Sequence, residues 1–503
     1  MSGGASKDSY DAIVVGSGLG GVTAAAVLAR HGLSVLLCER NDGPGGLAHA
    51  FKRGPYTIDP AVHFTLEAGD GQFLDLLLRH LDVRDQVELV QLQRPYHIRM
   101  PGVSLSPPAD SHGFVESLCA SFPGAAEGIR SFLDLVIRFF NEATRIQMQL
   151  DLRDLDAEVA RNRTFFRYRT RTLQQVLDEH VDDEAARAAL GAFWIVFGLP
   201  PSKLSFYLYA QYLSLLVLNG AYYCLGGFQK LVDAFVAALE RDGGELVVGT
   251  AVERILVTDG HASGVVLAGG QRVSAPLVVS NADARMTLDE LVGSEHLPEG
   301  YVKRLHRMEP SLSIFSVYAA TKLDLSQFDP ASEVYVFSSL DHEAVYENNR
   351  QGRPDGMFAS TPSVLDGSHA PQGEHVGVLA CLAPYDLGEP WPQAKQRYTD
   401  ALLAAIDDVY PGFSDQMTFC EQATPVTLER FTGNHRGAAY GWSMRSDQVA
   451  TKRLAHDTPV QGLYLSGHWT QEGSGSFRVM LSGIRTARMA LEPLGLADAV
   501  PRL

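Results

Sequence analysis

Residues 11–39 read DAIVVGSGLGGVTAAAVLARHGLSVLLCE, from Asp11 to Glu39. Ala12–Val15 is the short apolar run of a buried parallel strand, and Gly16-Ser17-Gly18-Leu19-Gly20-Gly21 follows it directly. In such a motif Gly16 permits the tight turn, Gly18 lets backbone approach a pyrophosphate, and Gly21 lets the helix pack close to the strand. Val22–His31 is alanine-rich and helical, with Gly32 as its C′ residue. Its N-terminus aims unpaired N–H groups and a positive dipole at phosphates. A second strand, Ser34–Cys38, delivers Glu39 about 20 residues past the glycines, where a carboxylate accepts from a ribose hydroxyl and disfavours the 2′-phosphate of NADP. A glycine-rich turn alone is common. Strand, glycines, helix, second strand and acid at these spacings together predict a dinucleotide site.

The chain has 503 residues, room for a large core and for two or three domains. Its 46% hydrophobic and 20% charged residues are ordinary for a globular protein. A formal net charge of −17 argues against a nucleic-acid partner, which needs clustered positive charge. Five cysteines, at 38, 119, 224, 381 and 420, form no CxxC pair, and sixteen histidines form no HExxH, so neither a metal site nor a disulfide framework is expected. The opening MSGGASKDSYD lacks the apolar core of a signal peptide, and no run of 18 apolar residues suggests a membrane span. The expectation is a cytoplasmic protein, with peripheral membrane contact left open.

Further along, Asn41-Asp42-Gly43-Pro44-Gly45-Gly46-Leu47 is rich in turn residues and offers a second backbone approach to the cofactor. Residues 110–190 are mostly helical in pattern, with SFLDLVIRFFNEATRIQMQL at 131–150 spaced by threes and fours. Gly226-Gly227-Phe228 opens a helix over Gln229–Arg241, and strands are predicted at Glu245–Val248, Ala251–Thr258, Ser263–Leu267 and Gln271–Ser274. The run PLVVSNA at 276–282 is a buried strand ending in small polar residues, a form that delivers backbone to a ligand at the carboxyl edge of a sheet. Alternating runs between 310 and 385 suggest an antiparallel sheet, followed by a helix over Gln393–Tyr410. Gly462–Gly467 is another strand entering a glycine turn, and GSGS at 473–476 leads into a last helix, about Phe477–Leu491. Three stretches, 1–70, 220–290 and 420–503, are thus expected to return to one discontinuous nucleotide-binding domain. Residues 90–219 would form a helical substrate region and 300–419 an antiparallel-sheet substrate region.

Taken in order, these motifs resemble the phytoene desaturase-type flavoproteins, the group of carotenoid desaturases, carotenoid isomerases and retinol saturase. The resemblance runs nearly end to end. It rests on GSGLGG with Glu39, GPGGLAHAF at 43–51, Gly226-Gly227-Phe228, VVSNAD at 278–283, ATPVTLERFTGNHRGAAYG at 423–441 and GLYLSGHWTQEGSGS at 462–476. It implies an α/β fold, a Rossmann-like FAD-binding domain of the amine-oxidase/phytoene-desaturase type with a discontinuous α+β substrate domain. It also implies FAD itself. Carried over, Gly16, Gly18 and Gly21 would meet the pyrophosphate, Glu39 the adenosine ribose and Val252 the adenine, with Leu19, Gly20 and Arg40 also among the cofactor-binding residues. Gly45, Gly46 and Leu47 would line the pyrophosphate and ribityl chain, with Asn281 at the neighbouring strand end. Gly467, His468, Ser476 and Phe477 would reach the flavin end, where the last helix's dipole would stabilise charge on the reduced ring. His468, where relatives carry an acid, and Phe477-Arg478, where they carry small residues, depart from the pattern.

Flavin chemistry on an unactivated carbon–carbon bond needs a dry apolar slot more than a catalytic triad. Residues 193–228, FWIVFGLPPSKLSFYLYAQYLSLLVLNGAYYCLGGF, suit either that slot or plain core helices. For proton handling Glu472 and His63 stand first, ahead of His435 and Tyr440, although a lone histidine is more often structural. The function expected is an FAD-dependent oxidoreductase acting on carbon–carbon bonds of a long, apolar, conjugated substrate, a polyene that a carrier could bear, by desaturation or by cis–trans isomerisation through reduced flavin. A retinol saturase-type double-bond saturase, an amine oxidase-like flavoenzyme and a non-catalytic FAD or hydrophobic-ligand binder are the alternatives. Arg161, Arg163, Arg167, Arg169 and Arg171, interleaved with aromatics, read either as a solvated face or as a docking point for lipid headgroups or an acidic carrier protein.

Overall fold

The computed structural model describes residues 4–149, 155–328 and 331–501. Five short strands form a parallel sheet: β1 (Ala12–Val15), β2 (Val35–Cys38), β3 (Glu245–Val247), β4 (Leu277–Ser280) and β5 (Leu463–Leu465), in the order β5-β4-β1-β2-β3. Val15, at the end of β1, pairs with Cys38 on one side and Ser280 on the other, and Ser280 pairs with Leu465. Every residue of β1 and β2 is buried, because helices and the second layer cover both faces. This is why the strands read as unbroken apolar runs and not as alternation. The shared register brings four strand ends to one edge, where open α/β sheets bind ligands.

Helix α1 (Leu19–Arg30) begins at Leu19 rather than Val22, with Gly18 as its N-cap. Gly20 and Gly21 look like turn residues in sequence, yet here they are the helix's first turn, held by packing that a side chain would prevent. The C-terminus closes as the sequence predicts: Gly32 has φ +88° and the Leu33 N–H donates to the Leu28 carbonyl. Two further helices, α2 (Phe206–Asn219) and α3 (Phe228–Arg241), lead into the β-rich passage, and α4 (Ser476–Leu491) lies along α1. The close approach of α4 depends on Gly483, where a Cβ would stand 2.5 Å from the Gly20 carbonyl oxygen and 2.9 Å from Thr23 Cβ.

Val252–Thr258, His261–Leu267 and Arg272–Ser274 form a small antiparallel sheet between β3 and β4. The larger second sheet has seven strands in the order Met417–Ala423, Ser313–Thr321, His375–Ala383, Met357–Ser360, Glu333–Val336, Tyr96–Met100 and Val103–Leu105. It is antiparallel except where Glu333–Val336 pairs in parallel with Tyr96–Met100. Residues 96–105, which the sequence analysis put in the helical region, therefore belong to the sheet. Helices dominate the described residues of 111–219, including Ala126–Gln149, which carries the periodic stretch read at 131–150; residue 150 lies outside the described residues. Among the described residues no helix is long and apolar enough to cross a membrane.

Candidate functional site

The carboxyl edge of the parallel sheet opens into a cavity of about 570 Å³. Its lining runs from Glu39, Arg40 and Val252, past Gly16, Gly18, Gly46 and Leu47, to Gly467, His468 and Phe477. Beyond them it continues into an apolar chamber between the two sheets. The first part is built for close backbone approach. Gly18 and Gly45 pair as an isolated bridge, and Gly46 adopts φ +57° with the position of its missing Cβ only 3.0 Å from Gly18 Cα. The Asn281 amide fills the seam between strand ends: Cβ atoms on Gly18 and Gly20 would stand 2.8 and 2.6 Å from it, and one on Gly467 2.5 Å.

These residues fit an extended dinucleotide on two counts. Gly18 provides no side-chain cap to α1 and no acid stands in its first turn, so buried N–H groups are left for an anion. Glu39, 5% exposed, accepts from the Ser17 N–H and hydroxyl through Oε2 and from the Asn41 N–H through Oε1. Those three bonds fix the carboxylate and leave acceptor capacity for a ribose hydroxyl. Replacing Glu39 by Gln removes a charge-assisted acceptor, and FAD affinity measured by flavin fluorescence should fall roughly tenfold. Arg40 also lines the cavity, and its guanidinium donates to the Arg430 carbonyl at 2.7 Å, tying the mouth to the helix Pro425–Thr432.

At the far end of the cradle, the residues that depart from the family pattern do unexpected work. The His468 ring packs edge-on to Trp469, and burial, with the charge of Arg453, lowers its pKa to about 3, so the imidazole is neutral. Arg453 is 1% exposed and donates only to carbonyls, those of Gln448, His468 and Trp442, which staples the turn after β5 to the 442–448 loop. Ser476, the first residue of α4, donates to the Phe64 carbonyl, and Phe477 meets Phe73 edge-on at 5.2 Å. Arg478 donates to the Glu472 carbonyl and to Gln211 on α2, joining the cradle to the helical region.

Glu472 lines the cavity, with its carboxylate committed to partners within the protein. Its carboxylate accepts from Arg485 and Thr470 and sits 2.7 Å from His456 Nε2. Burial works to raise its pKa, but His456 and Arg485 outweigh burial and hold it far below the usual glutamate range. A group pinned as an anion is a structural hub.

His63 enters the apolar chamber, where it meets residues that the sequence analysis missed. Its Nδ1 lies 3.4 Å from Oε1 of Glu333, at the start of a strand 270 positions away. Burial opposes a charge on His63, yet Glu333 and Asp59 outweigh it and raise its pKa. Tyr212 of α2 and Tyr440 line the same chamber, whereas His435 does not. Of the aromatic stretch 193–228, Val196, Phe197, Leu208, Tyr212 and Leu215 face the cavity; Trp194, Phe206 and Tyr209 are core. One face of that stretch thus lines the cavity and the other packs in the core.

Among the described residues no cluster of His, Cys, Asp or Glu has metal-binding geometry, and all five cysteines are free thiols. In the arginine segment Arg161 pairs with Glu158, Arg167 and Arg171 with Glu179, and Arg169 lies over the Phe166 ring.

The family model described as flavin containing amine oxidoreductase matches residues 19–491. An all-trans-retinol 13,14-reductase from Danio rerio is 26% identical, over 92% of this chain and 82% of its own. Prolycopene isomerase 1, chloroplastic, from an Oncidium hybrid cultivar is 27% identical over 99% and 86%, and a neurosporene-forming phytoene desaturase from Rhodobacter capsulatus 28% over 95% and 93%. Among solved structures, an oxidoreductase from Methanosarcina mazei superposes with a TM-score of 0.65 at 18% identity, over 94% of this chain and 99% of that one, a likeness of fold.

Proposed function

The chain belongs to the flavin containing amine oxidoreductase family, and from that premise we propose that this FAD-dependent oxidoreductase acts on carbon–carbon bonds of a long, apolar, conjugated substrate. The observation that carries the reading is the chamber continuous with the cofactor cradle. Its walls include Val62, Val196, Phe197, Leu208, Leu215, Ile314, Phe358 and Val378, surfaces that take a polyene and exclude water. Reductase, isomerase and desaturase relatives over nearly the whole chain support the same reading.

When bound, FAD supplies a partner that can take or give a hydride. The chain's own residues position and insulate. The unpaired N–H groups at the start of α1 would hold the pyrophosphate, and Glu39 would hold the ribose. The start of α4 would bring its positive dipole to the flavin end. The apolar walls align the chain of the substrate with the ring and keep bulk water from the reacting carbon. His63, with Glu333 against its Nδ1, is the proton-handling group that the chamber offers.

Anaerobic incubation with candidate polyenes, on oxidised and on pre-reduced enzyme, separates the chemistries by product mass and flavin absorbance. We expect either loss of two hydrogens with bleaching of oxidised flavin, or unchanged mass with shifted retention on reduced flavin. A gain of two hydrogens would make the enzyme a saturase. Turnover of small amines with polyenes inert would overturn the reading in favour of an amine oxidase.

A further inference from the structure

Phe431 is 53% exposed, the one aromatic among the large apolar side chains that the described residues leave open to water, and the one of them that lines the cavity. It lies in the last turn of the helix Pro425–Thr432, which contributes Leu428, Phe431 and Thr432 to the lining. Spacings of three and four put those side chains on one helix face, so that face, with the ring on it, is the one turned to the cavity. Val426 is exposed too, but two positions from Leu428 it falls on the opposite face and lines nothing.

The end of that helix is held against the residues that follow Glu39. Asn41 Nδ2 donates to the Phe431 carbonyl at 2.9 Å and the Arg40 guanidinium to the Arg430 carbonyl at 2.7 Å, two of the carbonyls that a helix C-terminus leaves without partners. Gly433 closes the helix at φ +73°, and a Cβ on it would stand 3.0 Å from both Arg40 Nη1 and the Met286 methyl carbon. Met286 and Val252 line the same mouth. Phe431 is thus fixed beside Glu39, the group placed to hold the ribose. His468 and Phe477, beyond which the apolar chamber opens, are at the other end of the cradle. The Arg430 guanidinium stands over the ring, 5.5 Å from its centroid, and still leaves half of the residue open. An aromatic ring left in water is stabilised when a flat ligand covers it. A base joined to a ribose at Glu39 reaches this place, whereas a hydrocarbon lying at the flavin is a cradle's length away.

Resting on the reading of the cradle as an FAD site, we propose that Phe431 is the platform for the adenine: the base stacks on the exposed part of the ring while Glu39 holds the ribose. Stacking on an aromatic face reads the presence of a base and not its hydrogen-bonding pattern. The ring therefore adds affinity for the adenosine half of the dinucleotide, remote from the reacting atoms and without touching the flavin. Its position is set by Arg40 and Asn41, the two residues after the ribose-binding acid, so ribose and base are gripped by one short segment and the helix tied to it.

The test uses the full chain, stripped of FAD and reloaded. Phe431→Ala should weaken FAD binding about tenfold, within what stacking of one base on one ring contributes. Phe431→Tyr should keep the affinity of the unsubstituted chain, whereas Phe431→Leu, apolar but not aromatic, should not. Because the side chain is exposed before loading, the FAD-free variants should unfold at the same temperature as the unsubstituted chain, which separates lost stacking from lost folding. Phe431→Trp supplies a direct probe: the emission it adds should change on titration with ADP and stay constant with inorganic pyrophosphate, which has no base. Unchanged FAD affinity in Phe431→Ala would overturn the proposal, as would equal affinities of the Leu and Tyr variants or an added emission blind to ADP. Failure of the unsubstituted chain to bind FAD would overturn instead the dinucleotide reading on which it rests.

Discussion

Gly21→Ala is expected to abolish FAD retention, lowering affinity by more than about 100-fold if the protein folds at all, an effect well within reach of the 1–3 kcal/mol or more that overpacking costs. The methyl group would overlap the Gly16 carbonyl oxygen, and it would also stand 2.9 Å from Asn281 Cβ and 3.2 Å from Asn281 Cγ. Two of these neighbours are backbone or the root of a side chain, so neither can swing aside. Relief requires α1 to move off β1, which carries the uncapped N–H groups of its first turn away from Gly46 and parts the strand ends that Asn281 joins. Gly32→Ala is the matched control. Gly32, unlike Gly21, has positive φ, but nothing lies within 4 Å of its added Cβ, so only the left-handed backbone penalty of about 1–2 kcal/mol applies. The flavin-to-protein absorbance ratio after gel filtration reads both variants. A yellow, stoichiometric Gly21→Ala protein would show that the turn tolerates a wider helix–strand spacing than the packing allows.

What made Gly21 legible in the sequence is that its neighbours are close along the chain. Strand, turn, helix and acid occupy fewer than thirty consecutive residues, and each spacing has one geometric meaning. α1 starts ahead of the residue that the sequence pattern indicates because Gly20 and Gly21 have turn chemistry, and only the carbonyl of Gly16 and the amide of Asn281 explain why they are helical. The returning strands at 277–280 and 463–465 were readable as apolar runs ending in small residues, since parallel strands buried on both faces leave that trace. Glu333 left no trace at all. It reaches His63 because its strand pairs with Tyr96–Met100 on one side and Met357–Ser360 on the other, a register that no local pattern records. Tyr212 was hidden for the opposite reason. Nearly every residue of α2 is buried, so the periodicity that marks a core-facing helix cannot say which face meets a cavity. The site is therefore half local and half topological, and Glu333 and Tyr212, which no local pattern marks, belong to the topological half.

Glu472→Leu is expected to destabilise the holoenzyme by about 3–5 kcal/mol, the cost of removing one partner from a buried charged network. The substitution leaves the buried His456 opposite a methyl group and removes the acceptor of the Thr470 hydroxyl, in a residue whose backbone N–H donates to the Gly467 carbonyl at the end of the cradle. FAD should be released at lower denaturant concentration, because the turn from Gly467 to Gly475 loses its internal support. The acid limb gives a second reading. In the folded protein the Glu472 pKa is depressed, so its contribution to stability is present above the ordinary glutamate value near 4.3 and is lost as pH falls from there toward the folded-state pKa. Flavin release by the unsubstituted enzyme should therefore steepen below about pH 4.3, and this steepening should be reduced in Glu472→Gln, which cannot titrate. A carboxylate serving as a general acid or base near neutrality needs a pKa raised toward the working pH, and here the shift runs the other way. If Glu472→Gln kept full stability and FAD content yet lost turnover on a substrate that the unsubstituted enzyme converts, the carboxylate would act on the reaction itself. Loss of stability with the remaining folded fraction still turning over leaves proton handling to His63, the one imidazole in the chamber that faces a buried carboxylate without being tied into the cradle's own scaffold.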